Sequence, residues 1–316
     1  MRDSGKIAIL IALLIGLSLV LVLPGLTPEN YEFFLGQRLP KLLAIIVTGG
    51  AIGYSAVLFQ TVTHNRILTP ATLGFDAMYL LIQAALFFFL GGASFLVADR
   101  NANFLVSVVV MVVLALFLLR TVFGRSGHDL VFVVLVGTIF GQLFRTLAYF
   151  LLMIISPSEF TSLQNKMFAS FSNINTNIVL IAMVMCIAAA GWLLRDMRKF
   201  DVAGLGREQS VSLGVDHDAL VKRTFIVSAI LVSAATALVG PIAFLGLMVA
   251  NLAREIATSY RHTVITAISV LLSSVMLLAG QLAVERYMNF GTTVTVLINF
   301  VGGVYFVILL LRGNRL

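Results

Sequence analysis

The stretch that decides the fold begins at Arg38-Leu39-Pro40-Lys41, continues through the uncharged run 42–63, and ends in the polar turn His64-Asn65-Arg66-Ile67-Leu68-Thr69-Pro70-Ala71-Thr72-Leu73-Gly74. The uncharged run is long enough for a helix that crosses a bilayer, which needs about 20 apolar residues. Two basic residues mark where this helix begins, and a turn that contains proline marks where it ends. The stretch therefore predicts one complete transmembrane helix with defined ends.

The rest of the chain repeats this pattern. Its 316 residues are 60% hydrophobic and 11% charged, whereas about 25% of the residues of a soluble domain are charged. In lipid, long apolar runs satisfy their own backbone amides only as helices. The first run is longer than a signal-peptide core and has no small-x-small cleavage site, so we interpret it as the first span. The sequence predicts an all-α polytopic membrane protein, a single transmembrane domain over 1–316, with about ten transmembrane helices at 7–26, 40–62, 77–98, 103–120, 130–154, 178–194, 223–239, 242–257, 263–284 and 294–311.

The charges set the orientation of these spans. With the N-terminus in the cytoplasm, fifteen of the 21 Lys and Arg residues fall on the cytoplasmic side, five fall outside, and Arg145 lies within a span. Basic residues concentrate on the cytoplasmic side of membrane proteins, which also explains the net charge of +7 without a nucleic-acid partner. Residues 224–253 can form one long helix or two short ones that are broken at Gly240-Pro241. We favour two, which keeps both the N- and C-termini cytoplasmic.

The sequence contains no pattern typical of catalysis or metal binding. It has no GxxxxGK[ST] phosphate loop and no HExxH. The single cysteine lies in an apolar run, and the four histidines are scattered among the predicted loops. We therefore expect no catalytic, cofactor or metal site in this chain, which is not predicted to be an enzyme. If ATP drives the protein, another chain binds it.

Arg145 is the one clear charge inside a predicted span. It shares a helical face with Thr138, Gln142 and Tyr149, which are spaced by four, three and four residues. Intramembrane charge is costly and is often functional. One interpretation is a packing residue that pairs with a carbonyl or reaches towards the interface. The other is a translocation path lined by Gln142, Arg145 and Tyr149, in which Arg145 faces an anionic cargo.

Two other classes of membrane protein fit the sequence less well. A secondary transporter driven by protons or sodium usually places ionisable groups near the midplane, whereas here every carboxylate, including Asp76, is predicted at a helix end or in a loop. A membrane-embedded enzyme would need a catalytic cluster. The charged segment 195–223, with a short helix predicted at 208–213, is either a solvated loop or a contact surface for a partner.

Several motifs together resemble those of the FecCD-type permeases, which belong to bacterial ABC importers for iron–siderophore complexes, haem and cobalamin. Arg38-Leu39-Pro40-Lys41 resembles the family's R-L-P-R, and Asn65, Pro70, Leu73 and Gly74 match its N-P-L-x-x-P-x-L-L-G turn. Gly240 to Leu247 resembles G-P-I-G-F-x-G-L, and Gly206 to Gly214 resembles L-G-E-x-A-x-x-L-G. The resemblance extends from Arg38 to Arg312.

This resemblance implies a function and a set of partners. It implies a permease of the bacterial cytoplasmic (inner) membrane that moves a ferric siderophore inward, with haem or cobalamin as alternative cargoes. The implied partners are a second permease chain (identical or paralogous), two cytoplasmic ATP-binding subunits and an extracytoplasmic substrate-binding protein. ATP would be used by the partner subunit, and this chain itself would bind no cofactor.

The resemblance also implies roles for single residues. Those for binding-protein docking are Arg38, Lys41 and Arg286; those for the cytoplasmic gate are Asn65, Ile67, Leu68 and Asp129; those for ATPase coupling are Arg207, Glu208, Leu213 and Gly214. Some positions depart from the family pattern: Arg66 replaces a proline, Ala250-Asn251 replaces a common Pro-His, and Thr293-Val294-Thr295 replaces a P-x-G. These departures suggest a divergent branch that could form one half of a heterodimer.

Overall fold

The structure is a computed structural model that describes residues 3–123, 130–167, 170–171 and 174–313. A single 3-10 turn, Pro70–Leu73, precedes the third helix. The α-helices of the described residues are α1 (Asp3–Val22), α2 (Tyr31–Val62), α3 (Phe75–Leu90), α4 (Phe95–Ala98), α5 (Arg100–Phe123), α6 (Leu130–Ile154), α7 (Pro157–Met167), α8 (Thr176–Leu194), α9 (Met197–Ala203), α10 (Arg207–Ser212), α11 (His217–Val239), α12 (Ala243–Ile256), α13 (His262–Arg286) and α14 (Val294–Gly313).

The predicted all-α membrane fold is confirmed, and each predicted span has its helix. The spans correspond to α1, α2, α3, α5, α6, α8, α11, α12, α13 and α14. Within the part of the chain that the structure describes, seven helices are long and apolar enough to cross a membrane. The shorter members are α3 (16 residues), α12 (14 residues) and the apolar stretch Val294–Ile308 of α14. The short length of α3 is explained by a turn that enters the bundle before it, described below.

The chain breaks at Gly240, as the two-helix interpretation of 224–253 predicts. Gly240 has φ = 102°, a backbone conformation that residues with a Cβ rarely adopt, and α11 ends immediately before it. The first residue of α11, His217, stacks on His64, which follows α2. The last residue of α12, Ile256, accepts a hydrogen bond from Lys6 in α1. Since α1 begins and α2 ends on one side of the bundle, α11 leaves that side and α12 returns to it.

The bundle has two ends, which we name by residues that lie there. The His262 end is where α1, α11 and α13 begin and where α9 and α10 lie. The Arg38 end is the opposite one, where α1 and α13 terminate near the start of α2. At the Arg38 end, α14 starts beside the α11–α12 connection, since Thr295 donates to the Pro241 carbonyl. α14 therefore runs back towards the His262 end, so α1 begins and α14 ends on the same side, as the ten-span topology requires.

Small residues hold the centre of the bundle together. Gly49 and Gly53 lie one turn apart on α2 and face α13, where a Cβ on Gly49 would come within 2.9 Å of the Ser274 backbone. A Cβ on Gly53 would come within 2.7 Å of the Ser269 carbonyl oxygen, and the Ser269 hydroxyl donates to the Gly53 carbonyl at 2.9 Å. Such small-residue faces let membrane helices approach closely. The packing of α2 against α13 forms the core on which the remaining helices are arranged.

The turn between α2 and α3 lies inside the bundle. Gly74, with φ = 92°, packs so tightly on α6 that a Cβ there would lie 2.4 Å from the Cα of Gly141. Gly141 is eleven residues into α6, which at 1.5 Å per residue is about 16 Å from the start of that helix. Non-helical backbone at such depth is tolerated where protein buries it or water reaches it. Asp76 lies at a helix end, as predicted, in the first turn of α3, but that end is inside the bundle because α3 begins beside the middle of α6.

Candidate functional site

The three basic residues predicted to dock a binding protein lie together at the Arg38 end, around the terminus of α1. The Arg38 guanidinium donates to the carbonyls of Val22 and Pro24, both at 2.6 Å. Arg286 donates to the carbonyl of Val20 at 2.8 Å. Helix C-termini carry unpaired carbonyls and a partial negative charge, which basic side chains stabilise. Two of the three cations therefore also fix α1 against α2 and α13.

The third member of this group, Lys41, has an intrachain counter-ion that the sequence did not reveal. Its Nζ lies 2.6 Å from Oε1 of Glu285, and both side chains are largely buried. Gln281 donates to the same oxygen at 2.6 Å. The charge of Lys41 is thus balanced within the chain, whereas Arg38 and Arg286 contact only neutral carbonyls in these bonds. The net positive charge of the predicted docking residues therefore comes from Arg38 and Arg286.

The turn predicted as the cytoplasmic gate is rigidly built. The Asn65 side-chain oxygen accepts from the backbone N–H of Ile67 at 2.9 Å, and Leu68 donates its N–H to the Asn65 carbonyl at 3.4 Å. The Thr69 N–H then donates to the Thr72 hydroxyl at 3.1 Å, and that hydroxyl donates to the Thr69 carbonyl at 2.6 Å. These bonds satisfy polar backbone that would otherwise be unpaired next to the membrane helices. The remaining predicted gate residue, Asp129, lies outside the described residues.

Two departures from the family pattern contact each other at this turn. The carbonyl of Arg66 accepts from the side-chain amide of Asn251 at 2.9 Å and from that of Gln60 at 2.7 Å. A proline at 66 would keep this carbonyl, so the bond depends on the amide at 251 more than on the residue at 66. The contact joins the turn to α12, and it explains how a polar residue at 251, which is 4% exposed, is satisfied within the bundle.

The predicted translocation-path residues lie on an exposed face of α6. Gln142, Arg145 and Tyr149 are all exposed in the single chain, although their helix crosses the membrane. A charged guanidinium facing lipid would be costly, so such a face is expected to meet protein or water. The Asp76 carboxylate at the start of α3 lies within electrostatic range of Arg145. The structure thus places a carboxyl group near Arg145, beside the turn, which neither interpretation of the sequence included.

The segment predicted to couple to an ATPase projects from the His262 end. Arg207 begins α10 and forms an ion pair with Asp218 at 3.2 Å, and Glu208 next to it is exposed. Leu213 is 63% exposed and is followed by Gly214, whose φ is 80°. Leu205 and Val211 nearby are also exposed. Exposed apolar side chains within a charged segment are typical of a protein contact surface.

A buried carboxylate anchors this segment to the bundle. Asp196, between α8 and α9, is 5% exposed and accepts from Lys199 at 2.6 Å and from Arg223 of α11 at 3.1 Å. Burial acts to raise the pKa of Asp196, but the hydrogen bonds and charges of the two cations outweigh it and hold that pKa below its ordinary value. The ion pair therefore fixes the start of α9 on α11.

A chain of polar contacts continues from α9 into the membrane helices. Asp201 accepts from the backbone N–H of His262 at 2.6 Å and lies 2.9 Å from its Nδ1. The Nε2 atom of the same ring lies 2.9 Å from the Thr61 hydroxyl of α2. That hydroxyl accepts from Arg254 of α12 at 3.2 Å. We call Asp201, His262, Thr61 and Arg254 the junction network.

Of the contacts that the sequence analysis missed, only the packing of α6 on the turn had a detectable signal in the sequence. Gly137 and Gly141 show the small-xxx-small spacing of close helix contacts, and the structure uses them against Leu73 and Gly74. The junction network and Glu285 had no comparable signal, because their partners are remote in sequence. Among the described residues, no group of three or more His, Cys, Asp or Glu side chains could hold a metal ion.

Comparisons with known proteins agree with this architecture. The model of the FecCD transport family matches residues 6–312. The petrobactin import system permease protein YclO of Bacillus subtilis is 46% identical over 317 residues, covering 100% of this chain and 99% of the relative. FatC of Bacillus anthracis, also a petrobactin import permease, is 30% identical over 89% of this chain and 79% of its own length. An inward-facing structure described as a metal-chelate type ABC transporter superposes with a TM-score of 0.83 at 20% identity, covering 98% of this chain and 100% of that one. On the family match and the identity to YclO, the chain belongs to the FecCD transport family.

Proposed function

We propose that the chain is the membrane-spanning permease subunit of a binding-protein-dependent ABC importer that moves a ferric siderophore inward, and that petrobactin is its cargo. The observation that carries the proposal is the exposed polar face of α6, which lies beside a turn buried at membrane depth. A lipid-facing helix has no use for Gln142 and Arg145, whereas the wall of an aqueous path does. The names of the two relatives support petrobactin over haem and cobalamin.

In this assignment each end of the bundle has a partner. The Arg38 end faces outward and receives the substrate-binding protein, whose acidic groups would be attracted by Arg38 and Arg286. The His262 end faces the cytoplasm, where Leu213 and its apolar neighbours on the α9–α10 segment contact an ATP-binding subunit. The exposed face of α6 meets a second permease chain across the path. Alternation between outward- and inward-open states would follow ATP-driven motion of the cytoplasmic partners.

Uptake measurements test the proposal directly. In a strain that lacks its own siderophore permeases, the chain is expressed with its genomic neighbours and the uptake of radiolabelled ferric petrobactin is measured. We expect Arg145→Gln to reduce uptake by about tenfold or more, the effect of losing one charged interaction with cargo or counter-ion. Leu143→Ala, on an exposed apolar part of the same helix, is the matched control and should retain uptake.

Two outcomes would contradict the proposal. Uptake that continues when the ATP-binding subunit is inactivated, but that stops when the ion gradient is collapsed, would indicate a secondary transporter. Normal uptake by the Arg145→Gln variant, at the same amount of protein in the membrane, would remove this residue from the path. A petrobactin-negative result combined with normal uptake of another ferric siderophore would correct the cargo while keeping the class of transporter.

A further inference from the structure

A second polar site lies at the His262 end, away from the path on α6. A cavity of about 570 Å³ opens where α2 and α12 terminate, next to the start of α13 and to α9. Gln60, His64 and Arg66 line one side of it, and Arg254 and Tyr260 line the other. We call it the Arg254 cavity. Its volume exceeds that of a single hydrated ion and accommodates a phosphate-sized group together with ordered water.

The Arg254 cavity carries uncompensated positive charge. Arg66 and Arg254 are both among the residues that line it, and Asp201 is the one acidic residue in that lining. That carboxylate is already bonded to the backbone N–H and the ring of His262. Two guanidinium groups in one cleft repel each other unless an anion lies between them. The charge pattern therefore favours a bound anion.

The donors of these two arginines are only partly used. Arg254 donates through Nη2 to the Val57 carbonyl at 3.1 Å and to the Thr61 hydroxyl. A guanidinium has five N–H donors, and the buried Nε of Arg254 has no partner in the described part of the chain. The carbonyl of Arg66 is held by Gln60 and Asn251, while its side chain is exposed at the cavity. Arginine is suited to bidentate binding of phosphate oxygens.

Residues of α1 outside the cavity, Lys6 and Asp3, hold the loop that lines it, and their own charges lie 3.8 Å apart. Lys6 donates to the carbonyl of Ile256 at 2.7 Å and to the hydroxyl of Thr258 at 2.8 Å. Asp3 accepts from the N–H and the hydroxyl of Thr258, both at 2.8 Å. Segment 257–261 is thereby fixed across the mouth of the cavity, so that the site is formed before any ligand arrives. Preformed sites lose less entropy on binding.

We propose that the Arg254 cavity binds a phosphate-type oxyanion, either the headgroup of an anionic phospholipid or free phosphate from the cytoplasm. Arg66 and Arg254 hold its oxygens, and residues Ala257 to Tyr260 border it. Basic pockets between helices on the cytoplasmic side of membranes bind anionic lipid headgroups, and free phosphate offers the same chemistry. The site lies where α2 and α12 terminate, not on the polar face of α6, and it borders the turn that carries the predicted gate residues Asn65, Ile67 and Leu68.

Hydrogen–deuterium exchange of segment 257–261 tests this proposal locally. The full-length chain, in the complex in which it assembles, is placed in phosphatidylcholine nanodiscs and titrated with inorganic phosphate at constant ionic strength. We expect phosphate to slow the exchange of this segment. In Arg66→Gln the phosphate concentration at half-protection should rise by about tenfold, as expected for the loss of a charge-assisted hydrogen bond. Arg66 is exposed, so this variant should fold.

A matched variant and a second lipid complete the test. Arg261→Gln also removes one positive charge, this time from segment 257–261 itself, but Arg261 is exposed and does not line the cavity. The phosphate concentration at half-protection should therefore equal that of the wild type in this variant. In nanodiscs containing phosphatidylglycerol, protection without added phosphate identifies the lipid headgroup as the occupant, and protection only with phosphate identifies the free anion. If neither lipid gives protection that depends on Arg66, or if Arg261→Gln shifts the midpoint equally, the proposal is wrong.

Discussion

The contact between the buried turn and α6 is the sharpest structural feature to perturb. A Cβ on Gly141 would lie 2.8 Å from the Cα of Gly74 and 3.3 Å from its nitrogen. Carbon atoms normally approach to about 3.5–4.0 Å, so the Gly141→Ala methyl group is too close by about 0.7–1.2 Å. Both neighbours are backbone atoms that no rotamer change can move aside. The whole turn must therefore shift relative to α6.

The expected loss of stability follows from two opposing effects. Replacing a helical glycine by alanine gains about 0.5–1 kcal/mol of helix stability. Forcing an extra methyl group into a tightly packed contact costs about 1–3 kcal/mol. The balance predicts that Gly141→Ala lowers the free energy of unfolding by about 0–2.5 kcal/mol. The displaced turn carries Thr69 to Gly74, so ferric siderophore uptake should decline as well.

The matched control is Gly191→Ala in α8. Gly191 is also helical, but a Cβ there would meet no atom within 4 Å. The Gly191→Ala variant should therefore gain helix stability without a packing cost, and its free energy of unfolding should equal or exceed that of the wild type. Unfolding of the purified chain by sodium dodecyl sulfate in mixed micelles, followed by circular dichroism, measures both variants. If Gly141→Ala is as stable as Gly191→Ala, the close contact between the turn and α6 does not exist as described.

Three further predictions concern the charges and the coupling segment. Glu285→Gln should leave the Lys41 charge unbalanced at the Arg38 end and strengthen the attraction of an acidic binding protein at low ionic strength. Surface plasmon resonance at several salt concentrations measures this affinity. An unchanged salt dependence would show that Lys41 is not within reach of the partner. The pKa of Asp196 is below its ordinary value, so its contribution to stability is present above that ordinary value and is lost as the pH falls through the lowered one. Acid titration of unfolding should accordingly show a smaller loss in Asp196→Asn, and parallel curves for the two proteins would refute the assignment. Leu213→Asp should place a charge in an exposed apolar contact and reduce co-purification of the ATP-binding subunit by about tenfold or more. Glu208→Gln on the same segment serves as the control. Equal recovery of the ATP-binding subunit with both variants would exclude Leu213 from that contact.

The number and order of the membrane helices could be predicted from the sequence because they depend on local composition. The length of an apolar run, the basic residues of a loop and the break at Gly240-Pro241 can each be recognised from a short stretch of sequence. The depth of the turn at Thr69 to Gly74 could not be predicted in the same way. It depends on how far two glycines let α3 and α6 approach, which is a property of a pair of helices. For that reason Asp76 was correctly assigned to a helix end, but its proximity to Arg145 was not predicted.

The docking residues show the same limit of sequence-based prediction. Arg38, Lys41 and Arg286 were singled out as positive charges outside the membrane, and they do lie at one end of the bundle. Their intrachain partners, the terminal carbonyls of α1 and Glu285, were not predicted, since position 285 is 244 residues from Lys41 and only the register of α13 on α2 brings them together. A charge can be recognised from the sequence, but whether it is already balanced requires the fold.

The junction network brings these observations together at the His262 end. Asp201 belongs to the segment that we assign to ATPase contact, while Thr61 and Arg254 belong to the helices that flank the buried turn. Each of these polar groups is partly or fully buried, and losing one bond leaves its partner unsatisfied at a cost of about 1–3 kcal/mol. A displacement of α9 is therefore cheaper if α13 and the end of α2 move with it than if the network breaks. Since the Arg254 cavity shares Arg254 and Asp201 with this network, an oxyanion bound there would add to the same rigid unit and make the end of α2 harder to move independently of α9.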